Sequence, residues 1–374
     1  MTTSKTRPDT DTVAGQDWGT RGTTGVSFAA ALNFENVVAR LGGKVILDHL
    51  NLSLTPGEIV CLLGESGSGK STILRVAAGI QPVDEGIVRI NTEIVSAPGI
   101  QVPPEKRGAG LMFQDFALFP HLSLLDNVTF GLAQLGKAEA RRQARGALKR
   151  VGLDGREADF PHMLSGGQQQ RLALARTIAP RPGIIMLDEP FSGLDARMRE
   201  SVRGETLAVL RETHATSLIV THDPEEAMLM GDRVALLRAG RIVQIDTAAK
   251  VYQAPADLAA ARFLSPLSEI ACTVSNGAVD TPLGYVATPN RRDGERVIIA
   301  IRPVGDVTLK RQGPGTLGRI VSKRGALGID ICEVLVEGME RPIRVRLPAE
   351  PTIQVGHDVS LRLNPEHVLV FDQD

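Results

Sequence analysis

Residues Gly64 to Thr72, GESGSGKST, have the types and the spacing that bind a polyphosphate. They contain the pattern of a glycine, four further residues, then glycine, lysine and serine. In loops of this pattern the backbone N–H groups converge on the phosphates, the lysine reaches the terminal phosphates, and the serine hydroxyl binds Mg²⁺. We therefore predict that the following residues bind a nucleotide: Gly64, Glu65, Ser66, Gly67, Ser68, Gly69, Lys70, Ser71 and Thr72.

Two carboxylates, Asp188 and Glu189, end the apolar run IIMLDEP. Ligands of open α/β sheets bind at the carboxyl ends of the strands. Asp188 suits Mg²⁺ binding through a water or through another ligand of the ion, and Glu189 suits polarising an attacking water. The alternative is a pair of surface acids at a strand end, but charges directly after buried apolar residues need a reason.

A second anion-binding loop is predicted at LSGGQQQR, residues 164–171. Ser165 is followed by Gly166 and Gly167, which open a predicted helix. The N–H groups and the dipole at such a helix start attract a phosphate. Since the chain already has one phosphate loop, the second loop raises the question of which nucleotide it contacts.

The elements that position these residues alternate between strands and helices. GEIVCLLG, GIIMLDEP, TSLIVTHD and DRVALLRAGRIVQI read as strands, whereas GKSTILRVAAGI and AQLGKAEARRQARGALKRVGL have helical spacing. Beyond residue 265 short β-rich runs such as RVIIAIRP and DVSLRLN follow one another, which is typical of a small barrel. We predict a disordered tail (1–30), an α/β domain (31–265) with a helical insertion (about 115–163), and an all-β domain (266–374).

Taken in order, the motifs resemble those of the ABC-type ATPases, over about residues 33–262. The resemblance rests on the phosphate loop, Gln114 in MFQDFALFP, the signature LSGGQ, Asp188 with Glu189, SGLD at 192–195, and His222 in VTHD. It implies a P-loop NTPase fold of the ABC ATPase type, followed by a small barrel similar to an oligonucleotide-binding fold. It also implies ATP and Mg²⁺ as ligands.

The resemblance also assigns roles to individual residues. Gln114 and Ser71 would bind Mg²⁺ together with Asp188, and Glu189 and His222 would be catalytic. Two such domains pack head to tail in this family, so each signature contacts ATP held by the other subunit. A homodimer is therefore implied, and these residues would bind nucleotide in trans: Ser165, Gly166, Gly167, Gln168 and Asp195.

Leu41 departs from the family pattern. An aromatic residue usually stacks on adenine at this place, and our register puts Leu41 there, with Phe34 as the alternative. Leucine covers a purine face without π-stacking, so weaker or less adenine-selective binding is expected.

Composition limits the possible partners. Lys plus Arg is 42, Asp plus Glu is 43, and aromatic residues make up 3%, which gives no sign of a nucleic-acid partner. Cys61, Cys272 and Cys332 lie in apolar runs and are expected to be buried free thiols. No run reaches the roughly 18 apolar residues of a membrane span, so we expect a cytoplasmic protein that reaches a membrane through a partner.

The tail motifs IAIRPVGDVTL and NPEHVLVF resemble those of importer ATPases, and VPPEKRGAGLMFQDFALFP is most similar to the ferric-iron importers. This resemblance implies a two-subunit permease that docks near the loop of Gln114 (the Q-loop) and the insertion, at FALFPHLSLL. It also implies an external solute-binding protein and a place on the cytoplasmic face of the bacterial inner membrane. Alternatives are another cargo (polyamine, sulfate or molybdate, sugar), a non-transport ABC ATPase, or a regulatory module with little turnover.

Overall fold

The computed structural model of the chain describes residues 18–23 and 25–373. Contacts divide the chain into two compact units, one up to Ala248 and one from Ala249. Each unit has its own apolar core.

The described residues of the first unit form eleven strands and six α-helices. The strands are β1 (Leu32–Leu41), β2 (Lys44–Leu54), β3 (Ile59–Gly64), β4 (Glu85–Ile90), β5 (Glu93–Ala97), β6 (Ile100–Gln101), β7 (Ala109–Met112), β8 (Ile184–Asp188), β9 (Thr216–Thr221), β10 (Arg233–Arg238) and β11 (Arg241–Asp246). The helices are α1 (Lys70–Ala78), α2 (Leu124–Thr129), α3 (Lys137–Arg150), α4 (Gly166–Ile178), α5 (Ala196–Thr213) and α6 (Pro224–Met230).

The central sheet has the order β11-β10-β3-β9-β8-β7. All its neighbouring strands pair in parallel except β11, which is antiparallel to β10. Every residue of β3, β8 and β9 is buried, which explains why these strands read as continuous apolar runs. The predicted strands of the α/β domain are therefore confirmed.

A second sheet, β2-β1-β4-β5-β6, is antiparallel throughout and was not predicted. One apolar cluster contains residues of both sheets and of α1, among them Leu47, Leu62 and Leu74. The phosphate loop therefore lies between two sheets that share one core. Leu41 is the last residue of β1.

A separate apolar cluster belongs to the helical part of the chain and contains Leu124, Leu148 and Leu172. These residues come from α2, α3 and α4, and they give the predicted insertion its own small core. Because this core is distinct from that of the sheets, the helical part can form a structural unit within the domain.

The prediction of a disordered tail over residues 1–30 is not met at Trp18. Its ring packs against the helical cluster, and the guanidinium of Arg171 lies 5.2 Å from the ring centroid. This contact buries an aromatic surface that the composition of the segment did not indicate. The rest of the prediction falls partly on residues 1–17 and 24, which lie outside the described residues.

The second unit is built mainly of antiparallel strands. Its helices, including one at the boundary of the units, are α7 (Ala248–Gln253) and α8 (Leu258–Leu264). Its strands are β12 (Ser268–Thr273), β13 (Ala278–Thr281), β14 (Gly284–Ala287), β15 (Arg296–Ile301), β16 (Val307–Lys310), β17 (Thr316–Ala326), β18 (Ile329–Val336), β19 (Ile343–Pro348), β20 (Asp358–Leu363) and β21 (Leu369–Asp372).

The largest sheet of this unit, β16-β20-β17-β18-β19, curves into a nearly closed antiparallel barrel, as predicted. The two helices that precede these strands are fastened to a smaller sheet, β12-β15-β21, at β12 and at the end of β15. Arg302 donates to the Tyr252 carbonyl at 2.8 Å, and Arg262 pairs with Glu269 at 2.6 Å. These bonds explain why the contact boundary lies before the predicted boundary at residue 265.

Two further sequence expectations concern thiols and membrane spans. All three cysteines are free, but Cys272 is only half-buried, whereas Cys61 and Cys332 are buried. Burial raises the pKa of the Cys61 thiol far above its ordinary value, so this group stays protonated.

Within the described part of the chain, none of the helices combines the length and the apolarity that crossing a bilayer requires.

Candidate nucleotide-binding site

The loop between β3 and α1 has left-handed backbone angles at two of its glycines. Gly67 has φ 80° and Gly69 has φ 109°, a conformation that side chains disfavour. A Cβ atom at Gly69 would also lie 3.0 Å from the Ile46 carbonyl oxygen. Glycine at this position therefore lets the loop pass close to β2 and turn its N–H groups toward a ligand.

Lys70 is the first residue of α1, and its side chain turns back into this loop. Its Nζ donates to the carbonyls of Gly64 and Glu65, both at 2.9 Å. Burial lowers the pKa of the Lys70 ammonium, while the carboxylates of Glu189 and Asp188 act in the opposite direction. The loop therefore holds a cation where the terminal phosphates of a nucleotide would lie.

Ser71 and Asp188 lie side by side, because the Ser71 hydroxyl donates to Asp188 Oδ1 at 3.2 Å. Asp188 is buried, and this burial raises the pKa of its carboxyl group, although the Ser71 hydrogen bond opposes the rise. A hydroxyl next to a carboxylate is the kind of oxygen pair that Mg²⁺ selects, and the amide of Gln114 opens onto the same cleft. These donors fit the predicted ion.

Glu189 is the first residue after β8, and its backbone is left-handed, with φ 44°. Its Oε2 lies 3.1 Å from Nδ1 of His222 and 3.4 Å from Nε2 of Gln114. A non-glycine residue keeps such a conformation when its surroundings determine it, and this is frequent at active sites. Gln114 and His222, from distant parts of the sequence, thus meet at the Glu189 carboxylate.

The parallel pairing of β7 with β8 explains how two of them meet. Met112 of β7 pairs with Leu187 of β8. Gln114 lies two residues after Met112, and Glu189 lies two residues after Leu187. Both side chains therefore leave the sheet at the same level.

The neighbouring pair of strands, β3 and β9, ends at the same edge. Leu63 pairs with Thr221, and Gly64 and His222 each follow one residue later. The phosphate loop and the histidine thus begin at the same level of the sheet, and the four strands together form one ligand-binding edge.

These residues line one cleft of about 490 Å³. Its lining is Leu41, Ile46, Ser66, Gly67, Gly69, Lys70, Ser71, Thr72, Gln114, Glu189 and His222. Ile46 is the member that sequence reasoning missed. It lies in the hairpin of β1 and β2, and recognising that hairpin from the sequence would have identified it.

The structure distinguishes the two candidates for contact with the base. Leu41 is 60% exposed and lines the cleft, whereas Phe34 is 2% exposed and belongs to the core. Phe34 therefore cannot replace Leu41 at the base. Together with Ile46, Leu41 gives this part of the cleft an aliphatic surface.

We expect Leu41→Tyr to lower the Kd for ATP about tenfold, because base–aromatic stacking contributes about 1–3 kcal/mol. Equilibrium binding of ATP to the full-length chain measures this. Val45→Tyr is the matched control, since Val45 is also an exposed residue of the hairpin, 42% accessible, but does not line the cleft. An unchanged Kd in Leu41→Tyr would show that Leu41 does not face the base.

The signature residues have a different location. Ser165 caps α4 and is exposed, its hydroxyl accepts from the Gln168 N–H, and the Gln168 side chain accepts from the Ser165 N–H. Asp195 is exposed before α5 and accepts from the Met198 N–H at 3.0 Å. Among the described residues that line the cleft, there is no member of the set predicted to act in trans.

Comparison with known proteins gives concordant results. The family model described as ABC transporter matches residues 47–192. An iron(III) import ATP-binding protein, FbpC of Streptomyces avermitilis, is 44% identical over 276 residues, which are 73% of this chain and 79% of that protein. The sulfate/thiosulfate import ATP-binding protein CysA 2 of Chromobacterium violaceum is 40% identical over 286 residues, 76% of this chain and 77% of that protein.

A solved structure is also similar. It is a dimeric ATP-binding cassette in a post-hydrolysis state, bound to ADP and phosphate. Its TM-score is 0.52 at 32% sequence identity, and the match covers 58% of this chain and 98% of that one.

Proposed function

The chain belongs to the ABC transporter family of ATP-hydrolysing import subunits, and from this premise we propose that the cleft residues carry out the hydrolysis and that the cargo is iron(III). The observation that supports the site assignment is the meeting of Glu189, His222 and Gln114 beside the phosphate loop. Cargo does not touch an energy-coupling subunit, so the proposal of iron(III) rests on similarity to the FbpC proteins.

In the proposed reaction Lys70 and the loop amides bind the β- and γ-phosphates. The Glu189 carboxylate accepts a proton from the attacking water, and His222 and Gln114 orient that water. Ser71, Asp188 and Gln114 would hold Mg²⁺, which neutralises charge on the phosphates. In this scheme the chain positions the reactants and stabilises charge, and the phosphate bond supplies the energy.

We further propose that the active form is a homodimer. Ser165 and the N–H groups at the start of α4 are exposed and are not part of the chain's own cleft lining. A head-to-tail partner would bring them to its nucleotide, together with Gly166, Gly167, Gln168 and Asp195. In this arrangement ATP joins the subunits and its hydrolysis releases them.

The proposed permease contact is the apolar surface of the helical part. Phe130, Phe160 and Met163 expose 61%, 38% and 54% of their surface. Within the predicted docking segment FALFPHLSLL, Leu124 and Leu125 instead belong to the small core. Several exposed apolar residues in one helical part of the chain favour a protein partner. We propose that a permease docks here at the cytoplasmic face of the membrane and that an external solute-binding protein delivers its cargo.

Deletion of the gene tests the cargo. We expect the native bacterium to lose at least about tenfold of its uptake of radiolabelled iron(III), and to regain it with the parent chain but not with a Glu189→Gln chain. Uptake of sulfate and spermidine serves as the control, because sulfate/thiosulfate and spermidine/putrescine import proteins match at 40% and 39% identity. Loss of sulfate or spermidine uptake with normal iron uptake would assign the other cargo.

A further inference from the structure

Two consecutive residues just after Gln114 have an unusual backbone. Phe116 and Ala117 have φ 62° and 43°, the left-handed region that residues other than glycine rarely occupy. Such a pair persists only where neighbouring groups hold it in place. The group that holds it here belongs to another element.

That group is the guanidinium of Arg176, near the end of α4. Its Nη2 donates to the Phe116 carbonyl at 2.7 Å, and its Nη1 donates to the Ala117 carbonyl at 2.8 Å. The two donors of a planar guanidinium have a fixed separation, so this contact specifies how the two carbonyls lie relative to each other. An ammonium group can also donate to two carbonyls, as Lys70 does, but it lacks this rigid planar fork.

The same side chain also contacts the next part of the segment. The guanidinium carbon lies 5.3 Å from the centroid of the Phe119 ring, which itself lies 4.5 Å from the ring of Phe130. The fully buried Asn127 secures Phe119 further, since its Oδ1 accepts from the Phe119 N–H and its Nδ2 donates to the Phe119 carbonyl. The segment that follows Gln114 is therefore fastened at two points.

We propose that Arg176 is a positioning residue that sets the place of Gln114 relative to Glu189. The amide of Gln114 reaches Glu189 Oε2 at 3.4 Å, close to the limit for a hydrogen bond. A shift of a few tenths of an ångström at the carbonyls of Phe116 and Ala117 would break this contact.

Arg176 also connects two surfaces that the function requires. Its helix, α4, is capped by the signature residue Ser165, and the Phe119 ring beneath its guanidinium lies in the predicted docking segment and contacts Phe130 of the surface proposed for the permease. Movement of α4 on dimer formation would thus reach Gln114 and Phe119 through the same side chain. This role rests on the ATP hydrolysis proposed above.

The test is a double-mutant cycle of Arg176→Met with Gln114→Ala, measured as steady-state phosphate release by the full-length chain. Methionine keeps an unbranched stem and loses both donors. We expect Arg176→Met to lower kcat about tenfold with less than a twofold change in KM, because a small misplacement of a group near the reacting atoms costs rate. In the Gln114→Ala background the same substitution should cost less than twofold.

Arg302→Met is the matched control, since the Arg302 guanidinium also donates to two backbone carbonyls, those of Tyr252 and His367, and also lies over an aromatic ring, but it belongs to the second unit and does not line the cleft. We expect its kcat to stay within twofold of the parent. If Arg176→Met does not fold, Arg176→Lys replaces it in the cycle, with an expected threefold fall in kcat.

If the parent chain hydrolyses ATP, two results would overturn the inference. One is a folded Arg176 variant with the kcat of the parent. The other is an Arg176 substitution that lowers kcat by the same factor in the parent and in the Gln114→Ala background. A parent that releases no phosphate would instead refute the proposed function, so the two failures can be distinguished.

Discussion

Glu189→Gln should lower phosphate release by about a thousandfold and leave ATP bound. The glutamine keeps the length and shape of the side chain but cannot accept the proton of the attacking water, and a general base contributes about 10²–10⁴ in rate. Because the phosphate loop is intact, the Kd for ATP should change less than threefold. Single-turnover and steady-state phosphate release measure the effect.

The Glu189→Gln substitution should also change the oligomeric state of the protein. If hydrolysis separates the subunits, Glu189→Gln should elute as a dimer with ATP and Mg²⁺ during size-exclusion chromatography, and as a monomer with ADP. Glu225→Gln is the control, because Glu225 is 75% exposed on α6 and pairs with Arg203 outside the cleft. Equal rates in Glu189→Gln and the parent would remove the catalytic assignment of Glu189.

Ser165→Arg should abolish this ATP-driven dimer, with an expected loss of at least about a hundredfold in dimer affinity. Ser165 lies exposed at the start of α4, so a bulky cation there would occupy the space of the partner's phosphate. The effect is measured in the Glu189→Gln background, where hydrolysis does not interfere. ATP binding by the monomer should stay unchanged, because its own loop is intact.

A loss of stability from removing the N-cap of α4 is the competing explanation for a weaker dimer. A substitution at a second N-cap distinguishes the two explanations. Ser123 caps α2 in the same way, by accepting from the Asp126 N–H. Ser123→Arg should therefore cost a similar stability, about 1 kcal/mol, and still allow dimer formation. If Ser165→Arg dimerised normally, or if it lowered the monomer's affinity for ATP, the contact in trans would be refuted.

The sequence predicted most of the first unit, because its signals are local. The runs before Gly64 and Asp188 are buried on both faces and therefore apolar at every position, which is a pattern that can be read without a structure. The loop and the signature add residues whose types and spacing match phosphate-binding patterns. These parts of the site could be placed by residue number.

Other features depend on long-range pairing and could not be read. The hairpin that brings Leu41 and Ile46 to the cleft contains several register shifts, which remove a regular alternation. The bond of Arg176 to the Phe116 carbonyl joins positions 60 residues apart and involves a backbone atom that any residue carries. The type of residue at position 116 therefore does not predict this hydrogen bond.

Gln114 and Glu189 leave the sheet at one level, Gly64 and His222 leave it one residue further on, and this alignment limits how the chain tolerates change. One residue advances a strand by about 3.3 Å and turns its side chains to the opposite face. Deleting or inserting a single residue in any of the four strands would therefore carry one reactive group away from the other three, even if the sheet still formed. Exchanges among valine, isoleucine and leucine leave that alignment unchanged. We therefore expect the length of each strand to be more strongly constrained than the choice among these apolar residues.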